Sequence, residues 1–68
     1  MDFVEYQKND TDWNRLVILL DGKAEFVVQY ANCWVTYNGV TTSAEPGDFI
    51  VRMPNGEIKV LREVPPMP

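Results

Sequence analysis

The sequence predicts a small α+β domain in which one helix packs on a twisted antiparallel β-meander of about five strands. Three turn signatures indicate the meander: Asn38-Gly39, Pro46-Gly47-Asp48 and Pro54-Asn55-Gly56, each between short apolar or β-branched runs. Gly accepts a positive φ, Asn tolerates one, and Pro pre-sets the first corner of a turn. One stretch of helical periodicity precedes these turns.

Composition narrows the class of protein further. A chain of 68 residues forms one domain, here residues 1–68, and buries only about 60% of its unfolded surface. Cys33 is the only cysteine and histidine is absent, so an internal disulfide, a zinc finger and a His-based catalytic centre are excluded. Domains this small are usually stabilised by disulfides, a metal or a partner subunit. Because the first two are excluded, we expect a homo-oligomer.

Charge and hydropathy indicate where the protein works. The net charge is −4 and the cations are scattered, which argues against direct nucleic-acid binding. The longest apolar run, residues 16–20, is far too short for a membrane span, and the start lacks a signal peptide pattern. We therefore expect a cytoplasmic protein without a membrane partner.

The first half of the chain predicts a strand, a helix and a second strand. Residues 2–7 suit a short strand, and Asp10 or Thr11 is the expected N-cap of a helix that ends at Gly22. The predicted buried stripe of this helix follows the i, i+3, i+4, i+7 spacing and consists of Trp13, Leu16, Val17 and Leu20. Residues 24–30 then alternate in the manner of a half-buried strand.

Asn38-Gly39 predicts a hairpin between residues 33–37 and 40–43, because a type I′ turn needs positive φ at both central positions. The turn also fixes the register of the two strands. The predicted pairs on one face are Tyr37 with Val40, Val35 with Thr42 and Cys33 with Ala44, and those on the other are Thr36 with Thr41 and Trp34 with Ser43.

The last part of the chain predicts a second hairpin. The corner at residues 46–48 leads into strand 49–53, and a turn with Gly56 as the left-handed bulge residue leads into strand 57–61. Residues 64–68 predict a Pro-rich extended tail.

The order of these features resembles that of small tailed-bacteriophage proteins of unassigned function. In those proteins a short strand leads to an Asn/Asp-rich cap and a Trp-containing helix, and a Pro-Gly-Asp-aromatic-Ile strand leads to a Gly-bearing hairpin. Residues 3–7, 9–22 and 46–56 occupy these places here, whereas Val64-Pro65-Pro66 replaces the lysine- and aromatic-rich ending. The resemblance implies a phage origin and this fold, without an activity.

A second likeness is to part of a cupin barrel, carried by residues 34–39 and 46–48. It implies a half-barrel that needs a partner. It implies no chemistry, because cupin activity rests on histidines around a metal and this sequence has none.

The hairpin supplies the candidate interface residues Trp34, Thr36, Thr41 and Tyr37. Trp34 and Tyr37 lie on opposite faces of one strand, so the sheet has a second face that is not wholly polar. If Trp34 points away from the helix it is a candidate hot spot, and if it points inward it belongs to the core.

Charged groups and the thiol offer no catalytic set. Arg52, Lys59 and Arg62 are a possible anion contact near the last hairpin. Asp48 is expected to fix its turn by accepting backbone N–H bonds, although Glu45 lies close enough in sequence to form a carboxylate pair. Cys33 is expected in the core. We therefore predict no enzyme, no cofactor and no metal site.

The sequence and the resemblance together predict a phage-encoded accessory protein that acts by stoichiometric binding in the cytoplasm of the bacterial host. Its expected partner is a host protein, and inhibition of a defence or nucleic-acid enzyme is the concrete hypothesis. Two alternatives remain. One is an oligomeric small-ligand binder, with aromatic rings for a nucleotide base and cations for phosphate; the other is a structural or virion-associated module.

Overall fold

Short strands flank a single α-helix in the computed structural model, which describes residues 2–65. The elements are β1 (Asp2–Glu5), a 3₁₀ turn (Lys8–Asp10), α1 (Trp13–Leu20), β2 (Ala24–Gln29), β3 (Asn32–Tyr37), β4 (Val40–Ala44), β5 (Phe49–Arg52) and β6 (Ile58–Leu61). The α+β class is confirmed.

The strands form two three-stranded antiparallel sheets, in the orders β1-β5-β6 and β2-β3-β4, and not one meander of about five strands. Three successive residues of β5, 49–51, are buried. Such a strand needs neighbours on both edges and cover on both faces. β1 supplies one neighbour from the far end of the chain, with Asp2 opposite Arg52.

Both predicted hairpin turns are confirmed. Asn38 and Gly39 have φ angles of 54° and 81°, and β3 and β4 pair in the predicted register, with Tyr37 opposite Val40. In the β5–β6 hairpin the Gly56 N–H donates to the Met53 carbonyl at 2.8 Å, and Gly56 has a φ of 89°.

The helix begins later than predicted. Asp12 is the N-cap, and its side chain accepts a hydrogen bond from the Arg15 N–H at 3.2 Å. Thr11, one of the two predicted caps, is buried and instead accepts a bond from the Gln7 N–H at 2.6 Å. Asp10, the other, belongs to the 3₁₀ turn. Asp21 takes a left-handed conformation directly after the helix and precedes Gly22.

The buried stripe of α1 is rotated relative to the prediction. Leu16, Leu19 and Leu20 are buried, whereas Val17 is 57% exposed. At about 100° per residue, Leu19 lies on the side of Leu16 away from Trp13, and Val17 lies about 40° beyond Trp13. The helix therefore packs its leucine-rich face on the β1-β5-β6 sheet, where it contacts β1 and β5. We call this sheet the first sheet and β2-β3-β4 the second.

One hydrophobic core joins the helix to both sheets, and Tyr6 lies at its centre. The ring is fully buried and lies 6.2 Å from that of Trp13, which in turn stacks on Phe26 of β2 at 5.6 Å. The Tyr6 hydroxyl donates to the Ala31 carbonyl at 3.0 Å, in the turn between β2 and β3. Burial raises the pKa of this hydroxyl above its usual value.

The end of the chain lies only partly within the described residues. Val64 is exposed and Pro65 is buried, whereas 66–68, the rest of the predicted tail, lie outside the described part. Within residues 2–65 no helix is long and apolar enough to cross a membrane.

We expect Tyr6→Phe to lower the free energy of unfolding by about 1 kcal/mol, because the buried hydroxyl loses its bond to Ala31. Chemical denaturation monitored by tryptophan fluorescence measures this loss. Tyr30→Phe is the matched control, since Tyr30 is 92% exposed and should tolerate the change. Equal stabilities of the two variants would show that the Tyr6 hydroxyl does not stabilise the fold.

Candidate functional site

The sheet β2-β3-β4 has one face that contributes to the core and one that does not. Strand alternation and the observed register place eight residues on the second face, and none of them is buried. We call this surface the outer face; it consists of Glu25, Val27, Gln29, Asn32, Trp34, Thr36, Thr41 and Ser43.

Trp34 lies in the middle of the outer face and points away from the core. It is 36% exposed, and its strand neighbours Cys33 and Val35 are buried on the opposite side. Across the sheet Trp34 lies between Val27, which is 58% exposed, and Ser43. The structure thus gives Trp34 the outward orientation, one of the two that the sequence allows.

Two threonines form the next row of the outer face. The Oγ1 atoms of Thr36 and Thr41 lie 2.8 Å apart in a hydroxyl–hydroxyl hydrogen bond, and Glu25 lies opposite Thr36. This bond orders both side chains beside the indole of Trp34. The result is a small surface with one aromatic ring, one aliphatic side chain and fixed polar groups.

Tyr37 lies apart from the other candidate interface residues, because it points to the inner side of β3 and packs against the core. There it lines a cleft of about 350 Å³ between the two sheets. Val40 and Thr42 of β4 form one side of this cleft, and residues 57–60 form the other. We call this surface the inter-sheet cleft.

The three candidate cations do not come together. Arg52 and Lys59 point to opposite faces of the first sheet, because Arg52 pairs with Ile58 and Lys59 pairs with Val51 in the register. Lys59 lines the inter-sheet cleft and forms an ion pair with Glu57 at 3.3 Å. Arg62 is exposed beyond the end of β6.

Arg52 contacts two other parts of the chain. One guanidinium nitrogen donates to the Leu19 carbonyl near the end of α1 at 3.3 Å, and another donates to the Asp2 carboxylate at 2.7 Å. The hydrogen bond from Arg52 holds the pKa of the Asp2 carboxyl below its usual value. These contacts connect the helix end, β5 and β1.

The remaining candidates have structural surroundings. The Glu45 N–H donates to the Asp48 carboxylate and the Asp48 N–H to the Glu45 carbonyl, both at 2.9 Å, so Asp48 fixes the turn after β4. Cys33 is buried, and desolvation raises the pKa of its thiol to about 11, which keeps it protonated at neutral pH. Among residues 2–65 no group of three potential metal ligands occurs.

Sequence reasoning missed two features of these surfaces. Alternation grouped Val27 with Glu25 and Gln29, but no local signal paired β2 with β3, so the position of Val27 beside Trp34 was not predicted. The inter-sheet cleft was hidden because β4 and β6 come together only through the tertiary fold. The alternation of residues 24–30 and the register of the Asn38-Gly39 hairpin were the local signals that placed residues on either surface.

Comparison with known proteins identifies no relative. No family model matches the chain, and no curated protein and no solved structure matches it.

The pairing of Asp2 with Arg52 predicts a pH-dependent loss of stability. Because the folded-state pKa of Asp2 is lowered from 3.8, its stabilising contribution is present above that pH and is lost as the pH falls through the folded value. We expect Asp2→Asn to lower the denaturation midpoint at pH 7 and to have a progressively smaller effect as the pH falls below 3.8.

An Arg52→Met background provides the control for this pair. Once the guanidinium is removed, Asp2→Asn should cause a much smaller loss at pH 7, as in a double-mutant cycle. Additive losses, or a loss independent of pH, would contradict the assignment.

Proposed function

We propose that this protein acts by stoichiometric binding of another protein through the outer face. The observation that carries the proposal is the half-exposed Trp34, flanked by Val27 and the bonded pair Thr36 and Thr41, on a face that no other described element covers. Tryptophan is enriched at binding hot spots, which combine a large apolar ring with an N–H donor. Such a surface needs no catalytic residue.

The proposed partner is a bacterial host protein, and the proposed setting is the host cytoplasm. The likeness to small phage proteins supports this choice, and inhibition of a defence or nucleic-acid enzyme is its most specific form. The net charge of −4 agrees with a partner whose binding site is basic, as sites for nucleic acid are. The proposed active form is a homo-oligomer, which supports a chain of only 68 residues.

Native mass spectrometry of the tagged protein, captured from bacterial cells that express it, tests the proposal. We expect the wild-type protein to carry a host protein at fixed stoichiometry and Trp34→Ala to lose it, because the apolar anchor is gone. Ile18→Ala removes an exposed side chain of α1 and is the matched control, which should keep the partner.

Thr41→Arg is a second variant that leaves Trp34 in place. Thr41 is exposed, so the change adds bulk and charge to the outer face without removing a core contact. Circular dichroism checks that each variant is folded. Retention of the partner by both folded variants would exclude the outer face, and a particle-bound protein without a host partner would favour a structural module.

The inter-sheet cleft favours a second candidate function, the binding of a small anionic ligand such as a nucleotide. It brings the Tyr37 ring and the Lys59 ammonium to one cavity of about 350 Å³. A base can stack on a tyrosine ring, and a phosphate can displace Glu57 from Lys59.

Calorimetric titration with adenosine and guanosine monophosphates tests this second function. We expect Tyr37→Ala and Lys59→Ala each to weaken binding about tenfold, the loss of one charge-assisted or stacking contact. Arg62→Ala removes a cation outside the cleft and should bind as the wild type does. No binding by the wild-type protein, or equal losses in all three variants, would exclude the cleft as the site.

A further inference from the structure

The outermost strand of the second sheet, β2, has an open edge. It is hydrogen-bonded to β3 alone, and none of its six residues is buried. The opposite outer strand, β4, differs because it lies beside β6 at the inter-sheet cleft. Backbone groups along the free edge of β2 therefore face solvent.

This edge lacks the devices that protect the edges of monomeric sheets. Charged side chains, proline and bulges normally prevent pairing with another chain. β2 contains no proline, its register with β3 runs without interruption, and Glu25 is its only charged residue. Val27 and Val28 are exposed by 58% and 41%, so the edge is also apolar.

The hairpin geometry identifies the backbone groups that are free. The loop between β2 and β3 has two residues, and the pair closing such a loop, here Gln29 and Asn32, is hydrogen-bonded. Alternation along the ladder then directs the N–H and C=O groups of Phe26 and Val28 away from β3.

We propose that β2 pairs antiparallel with β2 of a second copy of this chain, about a twofold axis at Val27. In this register Phe26 of one copy faces Val28 of the other, and each such pair exchanges two backbone hydrogen bonds. The two Val27 side chains meet on the axis. Glu25 faces Gln29 of the second copy, a carboxylate opposite an amide donor, so no like charges are opposed.

Alternative registers fit less well. Centring the axis on Glu25 would also join matching backbone groups, but it would place the two carboxylates opposite each other. Centring the axis on Phe26 or on Val28 joins them as well, but it places Val27 opposite Glu25 or opposite Gln29. The register centred on Val27 instead pairs the most exposed apolar side chain of the strand with its own copy and opposes no like charges. The strand is therefore complementary to itself, which singles out a second copy as its partner.

Sedimentation velocity over a concentration series tests the pairing. We expect the wild-type protein to shift from the 7.8 kDa monomer to twice that mass. Val27→Lys should remain monomeric because it opposes two ammonium groups across the axis. Val40→Lys, at an equally exposed valine on β4, is the matched control and should dimerise as the wild type does.

A mixture of Val27→Lys and Val27→Glu should restore the dimer, since opposite charges then meet on the axis. Circular dichroism establishes that each variant is folded. A wild-type protein that stays monomeric at every concentration would overturn the proposal, as would self-association that Val27→Lys leaves unchanged.

Oxidative cross-linking tests the register. Val27→Cys should form a disulfide-linked dimer, because non-hydrogen-bonded pairs have Cα atoms about 4.5 Å apart. Glu25→Cys should not form one, because residue 25 of one copy faces residue 29 of the other. The two introduced cysteines are then about four residues, or about 13 Å, apart along the ladder. Cys33 is buried and is the same in both variants. Preferential cross-linking of Glu25→Cys would overturn the Val27-centred register.

Discussion

The fold depends on the contacts of one residue, Tyr6. Its N–H donates to the Asp48 carbonyl at 2.8 Å, and its own carbonyl accepts from the Gly47 N–H at 2.7 Å. The side chain then crosses the core to the Ala31 carbonyl. One residue thus connects the end of β1, the corner before β5 and the turn between β2 and β3, which belong to both sheets.

This connection explains why the two faces of the second sheet differ. Tyr6 and Trp13 cover the inner side, where Phe26 stacks on the indole of Trp13. The eight-residue helix packs on β1 and β5 of the other sheet, so no described helix or strand remains to cover the opposite side. Trp34 and Val27 are exposed as a consequence of how few elements a chain of this length provides.

Local chemistry made part of the fold predictable. Asn38-Gly39 fixed both the turn and the register of its hairpin, since the φ angles needed there leave few alternatives. The pairing of β1 with β5 was not predictable, because it joins Asp2 to Arg52 across 50 residues of sequence and no local signal encodes it. That pairing divides the strands into two sheets.

The same distinction holds for the candidate site. Alternation placed Trp34, Thr36 and Thr41 on one face, yet both faces of β3 carry an aromatic residue, so the sequence left the exposed face open. Trp13 stacks on Phe26 on the inner side of the sheet, and this tertiary contact leaves the face that carries Trp34 exposed. Likewise, the separation of Arg52 from Lys59 follows from the register of β5 and β6, which places them on opposite faces.

The size of the outer face links the two proposals. Three strands about 4.8 Å apart and about six residues long give a projected area of about 280 Å², well below the roughly 800 Å² that each partner contributes to a standard interface. The twofold axis of an antiparallel strand pair is perpendicular to the sheet, so pairing through β2 places both outer faces on the same side. The dimer would then present a continuous six-stranded surface of about twice that area, with two copies of Trp34. A protein partner that is elongated or itself twofold symmetric would match this surface, whereas a compact partner would contact only one half.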